Sequence, residues 1–550
     1  MTSPTHPLNK QHVPGPDRGL ERRPRRRWTS ALLVCGCAPL LLLVAGCSRG
    51  WFPPNSEGDP TIAVTSPRGP RVGESTTNLL DPSALPSLRT GIFAPMGYDP
   101  TTLERQWTEE VSTWRNLLHA EGASVTLIDA LAEVDLSGFE VLIVPWTERM
   151  ETEELAALFR FVKGGGFLVY SGIVASANPF VNQTRQWSFE RAMGLFYTSS
   201  PAGGLAQRLP QKETLGGVIA IGNTPITAGI PPTYTVALSE AAPRVTARWS
   251  NPGYYAPLEW FGTAAEGPQR SRRWAQEAAA VVGDIGDGRF LWLGFPITAV
   301  QGSLSNQQAW QAIVRNALAY GRHQPIASVS WWPQSYRSAA VLSMDIERNQ
   351  DIALRAIEAF RKVQLPATTM FLLSSIAEQS PTLLRSFAEH GEVSLMESGM
   401  ARNNDFDVQM SILQEQETRL KAAMAAAEPL QAWSLSGVRL PELQYDYRTF
   451  FAFAQIGYDY CFLHESRNGS MPWWQGFGPA HGIVVIPSFA PDDFEIFHVR
   501  ERSGPEAIFA EASHEFDNIR RAGGLFAFST NAQHMNLPGM LEATERLAAY

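Results

Sequence analysis

The sequence is poor in cysteine and in charged residues. Only 4 of its 550 residues are cysteines, and Cys35, Cys37 and Cys47 lie near the N-terminus, which leaves Cys461 alone in the rest of the chain. A disulfide framework is therefore excluded. Charged residues make up 18% of the chain, the formal net charge is −9, and 44% of the residues are hydrophobic. This composition excludes disorder along the whole chain.

The few charges are unevenly distributed. Residues 1–47 carry a net charge of +5, and the rest of the chain is acidic at −14. Because an acidic body lacks the basic face of a nucleic-acid-binding protein, we expect no nucleic-acid partner. At about 100–200 residues per domain, the length predicts about two to four domains with well-buried cores.

The hydrophobic run near the N-terminus is too short to span a membrane. Ala31–Ala45 follows the basic stretch Arg22–Arg27 and falls short of the about 20 residues of a membrane-spanning helix. The pattern is typical of a secretory signal. Leu43-Val44-Ala45-Gly46-Cys47 also resembles the lipobox of bacterial lipoproteins, in which the cysteine is acylated and becomes the new N-terminus. An ordinary cleaved signal, or a membrane anchor with an incidental cysteine, is the alternative.

The lipobox resemblance implies a place in the cell. Two or more acyl chains on Cys47 would anchor the protein stably to a membrane. Ser48 after the cysteine is similar to lipoproteins sent to the outer membrane of Gram-negative bacteria. We therefore expect a lipoprotein of the cell envelope that faces the periplasm, with a signal peptide over 1–47. Residues 48–87 are rich in Pro, Gly, Ser and Thr and predict a flexible tether.

Residues 88–325 predict a first α/β domain. Apolar strands at Val125–Ile128, Val141–Pro145 and Phe167–Tyr170 alternate with segments of helical spacing. This alternation favours a parallel sheet covered by helices on both faces. Gly283–Gly288, between two apolar runs, predicts a hairpin, and Gln307–Tyr320 predicts a helix.

The order of motifs in this region resembles the class I glutamine-amidotransferase-like domains, which have a flavodoxin-like fold. The segments that carry the resemblance read EVLIVPW, GGGFLVYSG and GDGRFLWLGFP. Active members carry a cysteine nucleophile on the turn after a strand, where this chain has Ser171-Gly172 and no cysteine between 48 and 460. The resemblance therefore implies a binding or scaffolding domain, with Ser171 as a serine nucleophile the alternative.

Residues 326–550 predict a second α/β domain with a longer βα alternation. Such repetition favours a βα barrel, whose sites lie at the C-terminal ends of the strands. The predicted strands are Ala339–Met344, Ala367–Leu373, Gly391–Met396, Trp433–Leu435, Tyr458–Phe462, Ile483–Ile486 and Leu525–Phe528.

Four motifs in this domain resemble the polysaccharide deacetylase family, the NodB homology domain with its (β/α)7 barrel. They are Ser343-Met344-Asp345-Ile346, Pro366–Phe371, Arg439-Leu440-Pro441, and Gly523-Gly524-Leu525-Phe526 through Gln533-His534. The resemblance implies that Asp345 is the catalytic base, that Arg439 orients it and that Pro441 contacts substrate. The late acid histidine of the family aligns with Asn531, and His534 lies three residues further on.

The metal motif of the family is altered. Its Asp aligns with Ile346 and its two His with Met396 and Met400, while Glu347 is a substitute for the Asp. A methionine thioether is a soft ligand, unsuited to a hydrolytic zinc. The resemblance therefore implies a catalytically degenerate domain with no cofactor. A divalent metal such as zinc is expected only if Asp345, Glu347 and His534 form a non-standard site.

Tryptophan is abundant, with 16 residues, and stacking on indole faces is a common way to bind sugars. Trp473 and Trp474, within the Gly/Pro-rich loop predicted over Asn468–Gly482, are the candidates for exposed glycan-binding side chains.

Together these observations predict an α/β chain with a flavodoxin-like parallel-sheet domain followed by a (β/α)7-type deacetylase-like barrel. The leading hypothesis is a degenerate deacetylase-like lipoprotein that binds a glycan in exopolysaccharide or cell-wall handling. An active carbohydrate N-deacetylase with a non-standard metal site is the first alternative. A lipoprotein scaffold whose domains contact only protein partners is the second.

Overall fold

A computed structural model describes the chain between residues 88 and 550 with internal gaps. The described ranges are 88–95, 102–147, 149–172, 175–176, 189–197, 213–222, 224–239, 242–264, 271–328, 330–333, 336–347, 350–365, 369–379, 381–397, 405–427, 435–440, 445–463, 469–477, 481–499 and 504–550. Cys47, Met400 and Pro441 lie outside the described residues, as do the predicted leader and tether. Within these ranges, no helix is long and apolar enough to cross a membrane.

The elements before residue 325 include one long run of strands. The strands are β1 Arg89–Phe93, β2 Ser124–Ile128, β3 Val141–Val144, β4 Arg149–Met150, β5 Phe167–Ser171, β6 Ala175–Ser176, β7 Leu195–Tyr197, β8 Glu213–Ala220, β9 Thr235–Ala237, β10 Ala247–Trp249, β11 Tyr255–Ala264, β12 Ser271–Ile285 and β13 Gly288–Leu293. The helices are α1 Thr102–Ala120, α2 Thr152–Lys163, α3 Phe189–Met193 and α4 Leu304–Gly321, with 3-10 turns at Leu136–Gly138 and Ile297–Ala299.

The elements after residue 325 alternate between strand and helix. The strands are β14 Ala339–Ile346, β15 Thr369–Leu372, β16 Glu392–Met396, β17 Gly437–Arg439, β18 Tyr460–Leu463, β19 Trp473–Gly476, β20 Gly482–Pro487 and β21 Leu525–Asn531. The helices are α5 Gln350–Lys362, α6 Ser374–Gln379, α7 Pro381–His390, α8 Phe406–Ala426, α9 Tyr447–Ile456, α10 Pro505–Ala522, α11 Ala532–Met535 and α12 Met540–Ala549, with one π-helical turn at Glu495–Val499.

The first sheet joins a parallel half to an antiparallel half. Its strands lie in the order β2-β1-β3-β5-β13-β12-β11-β8-β9, and β10 pairs with both β12 and β7. The five strands from β2 to β13 are parallel, whereas β12, β11, β8 and β9 are antiparallel to their neighbours. The predicted hairpin at Gly283–Gly288 is confirmed, because β12 and β13 pair up to Ile285 and Gly288.

The parallel half of this sheet is covered on both faces, since every residue of its central strands β3 and β5 is buried. Val141 and Ile143 belong to one buried cluster, whereas Leu142 and Val144 belong to another on the opposite face. Helices α1 and α4 pack on the first cluster and α2 packs on the second. The predicted two-sided α/β arrangement is therefore confirmed, while the antiparallel extension was not predicted.

The second sheet is a curled, half-barrel arrangement of eight strands in the order β19-β20-β18-β17-β16-β15-β14-β21. The seven strands from β20 to β21 are parallel, and β19 runs antiparallel along the edge of β20. No ladder joins β21 to β20 or β19 among the described residues, so this sheet stays open there.

The two faces of the second sheet differ in what covers them. Met344 and Ile346 on β14 lie in the cluster that the surrounding helices cover. Phe371, Met396 and Phe462 form a separate apolar cluster on the other face. Because side chains alternate along a strand, Asp345 points to the same side as this inner cluster.

The two sheets belong to one compact unit and share a buried contact. Phe261 of β11 stacks on Phe489, which follows β20, with ring centroids 5.5 Å apart. Arg521 of α10 forms a bidentate ion pair with Glu259 of β11, at 2.5 and 2.8 Å. The antiparallel half of the first sheet thereby packs against the second.

One strand prediction in the second domain is wrong in its position. The sequence predicts a strand over Trp433–Leu435, but the strand lies at Gly437–Arg439, where it pairs with β16 and β18. Similarly, Trp473 and Trp474 lie on β19 rather than in a loop. The remaining strands of this domain lie within a few residues of the predicted ranges, and the chain as a whole is a mixed α/β protein.

Candidate functional site

A buried ion pair joins the C-terminal ends of β14 and β17. Nε of Arg439 lies 3.1 Å from Oδ2 of Asp345, and their side chains are 2% and 12% exposed. Nη1 of Arg439 lies 3.5 Å from Oγ of Ser343, and the guanidinium lies 5.7 Å from the Phe371 ring centroid. The structure thus brings together the two residues that the sequence predicted as base and orienting residue.

Two further carboxylates lie at this end of the sheet, in the segment after β20. Oδ2 of Asp492 is 3.9 Å from Nη2 of Arg439. Asp493 is also buried, and its Oδ2 accepts a hydrogen bond from the backbone N–H of Asn531 at 2.7 Å. Sequence reasoning missed both residues, although an acidic pair in the segment that follows a predicted strand is a signal that it could have used.

His534 lies on the same edge, on the short helix α11, and contacts Asp493. Its Nδ1 is 3.3 Å from Oδ2 of Asp493. This hydrogen bond raises the pKa of His534 above its ordinary value, although burial acts in the opposite direction. Burial raises the pKa of Asp493, while the contact with His534 opposes that rise. The structure therefore places His534 in a carboxylate–histidine pair beside the Asp345–Arg439 pair.

A second histidine completes this arrangement. Nε2 of His498, on the π-helical turn, lies 3.2 Å from Nε2 of His534. Phe497 stacks on His534, with ring centroids 5.7 Å apart and planes inclined by 17°. The sequence gives no signal for His498, because it lies on an irregular turn without ligand spacing.

The positions that the deacetylase resemblance assigns to metal ligands do not fit a metal. Ile346 and Met396 are 0% and 1% exposed and lie in two different apolar clusters. Glu347 follows β14 and accepts a hydrogen bond from Nε2 of Gln533 at 3.3 Å. Across the described ranges, no group of three or more His, Cys, Asp or Glu side chains is placed to hold a metal ion. A hydrolytic metal at these positions is therefore not supported.

Trp473 and Trp474 lie on opposite faces of the edge strand β19. Trp473 packs against the core of the second sheet, opposite the buried Val485. Trp474 lies over Gly482, where a Cβ atom would be only 2.4 Å from Cζ2 of its ring. Both side chains are half-buried. The absence of a side chain at Gly482 therefore makes room for the Trp474 ring at the sheet edge.

A buried carboxyl group also lies in the first domain. Glu110 of α1 is 2% exposed, and its Oε1 accepts a hydrogen bond from the backbone N–H of Ile297 at 3.4 Å. Burial raises its pKa to about 7, although hydrogen bonds from Trp146, Ile297, Trp114 and Ser171 lower it. Ser171 itself is completely buried at the end of β5, so its hydroxyl does not face solvent as a nucleophile would. Sequence reasoning missed Glu110.

Comparison with known proteins finds only partial likenesses in structure. No family model matches the sequence, and no curated relative matches it either. A protein from Mycobacterium smegmatis that is assigned as a polysaccharide deacetylase is 19% identical with a TM-score of 0.35. The likeness covers 41% of this chain and 87% of that one.

Two other solved structures are similar to parts of this chain. A β-galactosidase from Rahnella sp. R3 is 15% identical with a TM-score of 0.29, covering 45% of this chain and 33% of that one. A mutant of a CE4 family pseudoenzyme is 12% identical with a TM-score of 0.27. The likeness covers 39% of this chain and 62% of that one. The chain thus spans only about a third of the β-galactosidase. At these TM-scores the likenesses assign neither a family nor an activity to the chain.

Replacement of Arg439 tests the buried ion pair. In Arg439→Met, the Asp345 and Asp492 carboxylates lose their nearby guanidinium while remaining buried. We expect the free energy of unfolding to fall by about 3–5 kcal/mol, measured by urea denaturation. The matched control is Arg520→Met, since Arg520 is 63% exposed and its surface pair with Asp517 contributes at most about 1 kcal/mol. Equal losses in the two variants would contradict the role of Arg439.

The raised pKa of Glu110 predicts a pH-dependent stability. A carboxyl group that is easier to protonate in the folded state stabilises the fold below its ordinary pKa of 4.5, and this contribution is lost as the pH rises through about 7. Between these values the wild type should lose about 3 kcal/mol relative to Glu110→Gln, measured by urea denaturation at each pH. Glu109→Gln, which changes the exposed neighbouring carboxyl, should follow the wild-type curve. Parallel curves for the wild type and Glu110→Gln would contradict the prediction.

Proposed function

We propose that the protein is a lipoprotein of the bacterial cell envelope whose second sheet forms a polysaccharide-deacetylase-like domain that binds a glycan. In this proposal the domain has lost metal-dependent hydrolysis. The observation that carries it is the burial of Ile346 and Met396 in apolar clusters, at positions where the resemblance implies metal ligands. The first domain then has a binding or scaffolding role.

Loss of the metal removes the central part of deacetylase chemistry. A bound metal polarises the acetamide carbonyl and lowers the pKa of a bound water towards about 7. Asp345 alone supplies neither effect, and its carboxylate is already held by Arg439 at 3.1 Å. The ion pair supports a structural role for Asp345, which is to hold the C-terminal ends of β14 and β17 together.

The glycan part of the proposal is supported by Trp474. Its indole is only half-buried, lies over Gly482 and belongs to an edge strand. Sugar rings stack on such indole faces through their apolar C–H groups, while hydroxyls stay in water. Polar side chains for hydrogen bonding to a sugar lie at the strand ends, where Glu347, Gln533 and His498 are partly or fully exposed.

The finer fold assignment is also part of the proposal. The five parallel strands of the first sheet, numbered along the chain, lie in the order 2-1-3-4-5, which is the flavodoxin-like order. The seven parallel strands of the second sheet match the strand number of a (β/α)7 barrel. We place the two domains at 88–325 and 326–550, after the signal peptide and the tether.

A second candidate function, an active N-deacetylase, is favoured by one observation. The Asp345–Arg439 and Asp493–His534 pairs lie at the same end of one sheet, and such pairs suit a general base and a general acid. A metal-dependent deacetylase would need metal ligands at positions other than Ile346 and Met396. The following experiment separates the two candidates.

Replacement of Trp474 tests glycan binding. We expect wild-type protein to bind N-acetylglucosamine oligosaccharides in isothermal titration calorimetry, and Trp474→Ala to bind at least about tenfold more weakly because the stacking surface is lost. Trp331→Ala, which removes another half-buried tryptophan, is the matched control and should keep wild-type affinity. Asp345→Asn should also keep its affinity.

Acetate release from the same oligosaccharides is measured in parallel. We expect none, with or without added Zn²⁺. Release that depends on Zn²⁺ and disappears in Asp345→Asn would establish the second candidate instead. Absence of any oligosaccharide binding would favour a protein scaffold over both.

The membrane anchor rests on Cys47 and has its own test. Expressed in a Gram-negative host, the wild type should sediment with membranes, because its acylated cysteine holds it there. Cys47→Ala should appear in the soluble fraction or keep its uncleaved signal. Cys37→Ala is the matched control and should behave as the wild type. Unchanged acylation and membrane association in Cys47→Ala would contradict the lipobox interpretation.

A further inference from the structure

The His498 and His534 imidazoles lie as two ligands of one metal ion would lie. Their Nε2 atoms are 3.2 Å apart. Zinc bonds imidazole nitrogen at about 2.0–2.1 Å with tetrahedral angles, which separates two such nitrogens by about 3.3 Å. The observed distance therefore matches one edge of a tetrahedral coordination shell.

The orientation of His534 is also that of a metal ligand. Its Nδ1 faces the buried Asp493 carboxylate at 3.3 Å, and its Nε2 faces His498. Metal-binding histidines characteristically donate their other ring N–H to a carboxylate in this way. Asp493 is in turn held by the backbone N–H of Asn531 at 2.7 Å. A chain of contacts thus fixes the imidazole plane before any ion binds.

Aromatic rings hold the two imidazoles in place. Phe494 and Phe497 stack on His534 with ring centroids 6.1 and 5.7 Å away. The same two rings lie 4.7 and 5.1 Å from His498. Packing of this kind limits rotation of both imidazoles, which lowers the entropy cost of binding an ion.

The charge around the pair favours a cation. Carboxylates at Asp492, Asp493 and Glu347 interact electrostatically with His534. The nearby Arg439 is held within its buried pairs with Asp345 and Asp492. Carboxylates therefore outnumber the guanidinium at this end of the sheet.

We propose that His498 and His534 bind one late first-row transition metal ion, of which Zn²⁺ and Co²⁺ are representatives, through their Nε2 atoms. Imidazole nitrogen suits these ions. Two protein ligands leave the remaining coordination positions to water, so the site is open to an additional oxygen ligand. The position differs from that of Ile346 and Met396, and the site does not depend on the glycan-binding proposal.

Cobalt titration of the full chain without a polyhistidine tag tests this site. We expect about one Co²⁺ per chain to give visible d–d absorption that Zn²⁺ abolishes by displacement. His498→Gln and His534→Gln should each weaken Co²⁺ binding at least tenfold, and Asp493→Asn by about tenfold through loss of the orienting carboxylate. His119→Gln changes an exposed histidine on α1 and is the matched control with unchanged affinity.

Two results would overturn the proposal. One is wild-type Co²⁺ affinity in the double variant His498→Gln/His534→Gln. The other is loss of binding in Met396→Leu, which would place the ion at the position implied by the deacetylase resemblance. His498 is exposed, so its replacement opens no cavity, and an unchanged far-UV circular dichroism spectrum checks that the variant is folded.

Discussion

The buried guanidinium of Arg439 organises the C-terminal end of the strands of the second sheet. It lies at the end of β17, yet it reaches Asp345 on β14 and Asp492 after β20. A charge with 2% exposure is tolerated only where carboxylates surround it, so these three chain segments must meet at one place. Asp493, adjacent to Asp492, then holds His534 and the end of β21. The histidine pair therefore depends indirectly on Arg439.

The antiparallel half of the first sheet contacts the second sheet near the place where the second sheet is open. The second sheet is open between β21 and its opposite edge in the described part of the chain. Near that opening, Oγ of Ser470 accepts from the backbone N–H of Leu525 at 3.1 Å and contacts Oγ1 of Thr233 at 2.7 Å. Thr233 precedes β9, so a residue beside the first sheet satisfies polar groups at this opening of the second. Both sheets thereby belong to one compact unit.

Local patterns predicted most of the elements correctly. Apolar runs such as Val141–Val144 and Leu525–Phe528 lie in strands because parallel strands buried on both faces have no polar alternation. The Asp345–Arg439 pair was also anticipated, from the resemblance of their two motifs to those of the deacetylase family. The strand predicted over Trp433–Leu435 was misplaced because a segment of three residues, Trp-Ser-Leu, is too short to show a period that distinguishes strand from loop.

The sequence by itself established the α/β class and the alternation of strands and helices. These features follow from residue type and short-range periodicity, which do not require knowledge of the fold. Only the tertiary structure brought Asp492, Asp493 and His498 to Arg439 and His534, and only it buried Glu110 beside Ser171. These residues lie on turns, on loops or on a helix far along the chain from their partners. Their proximity follows from the packing of whole elements, which leaves no pattern in the local sequence.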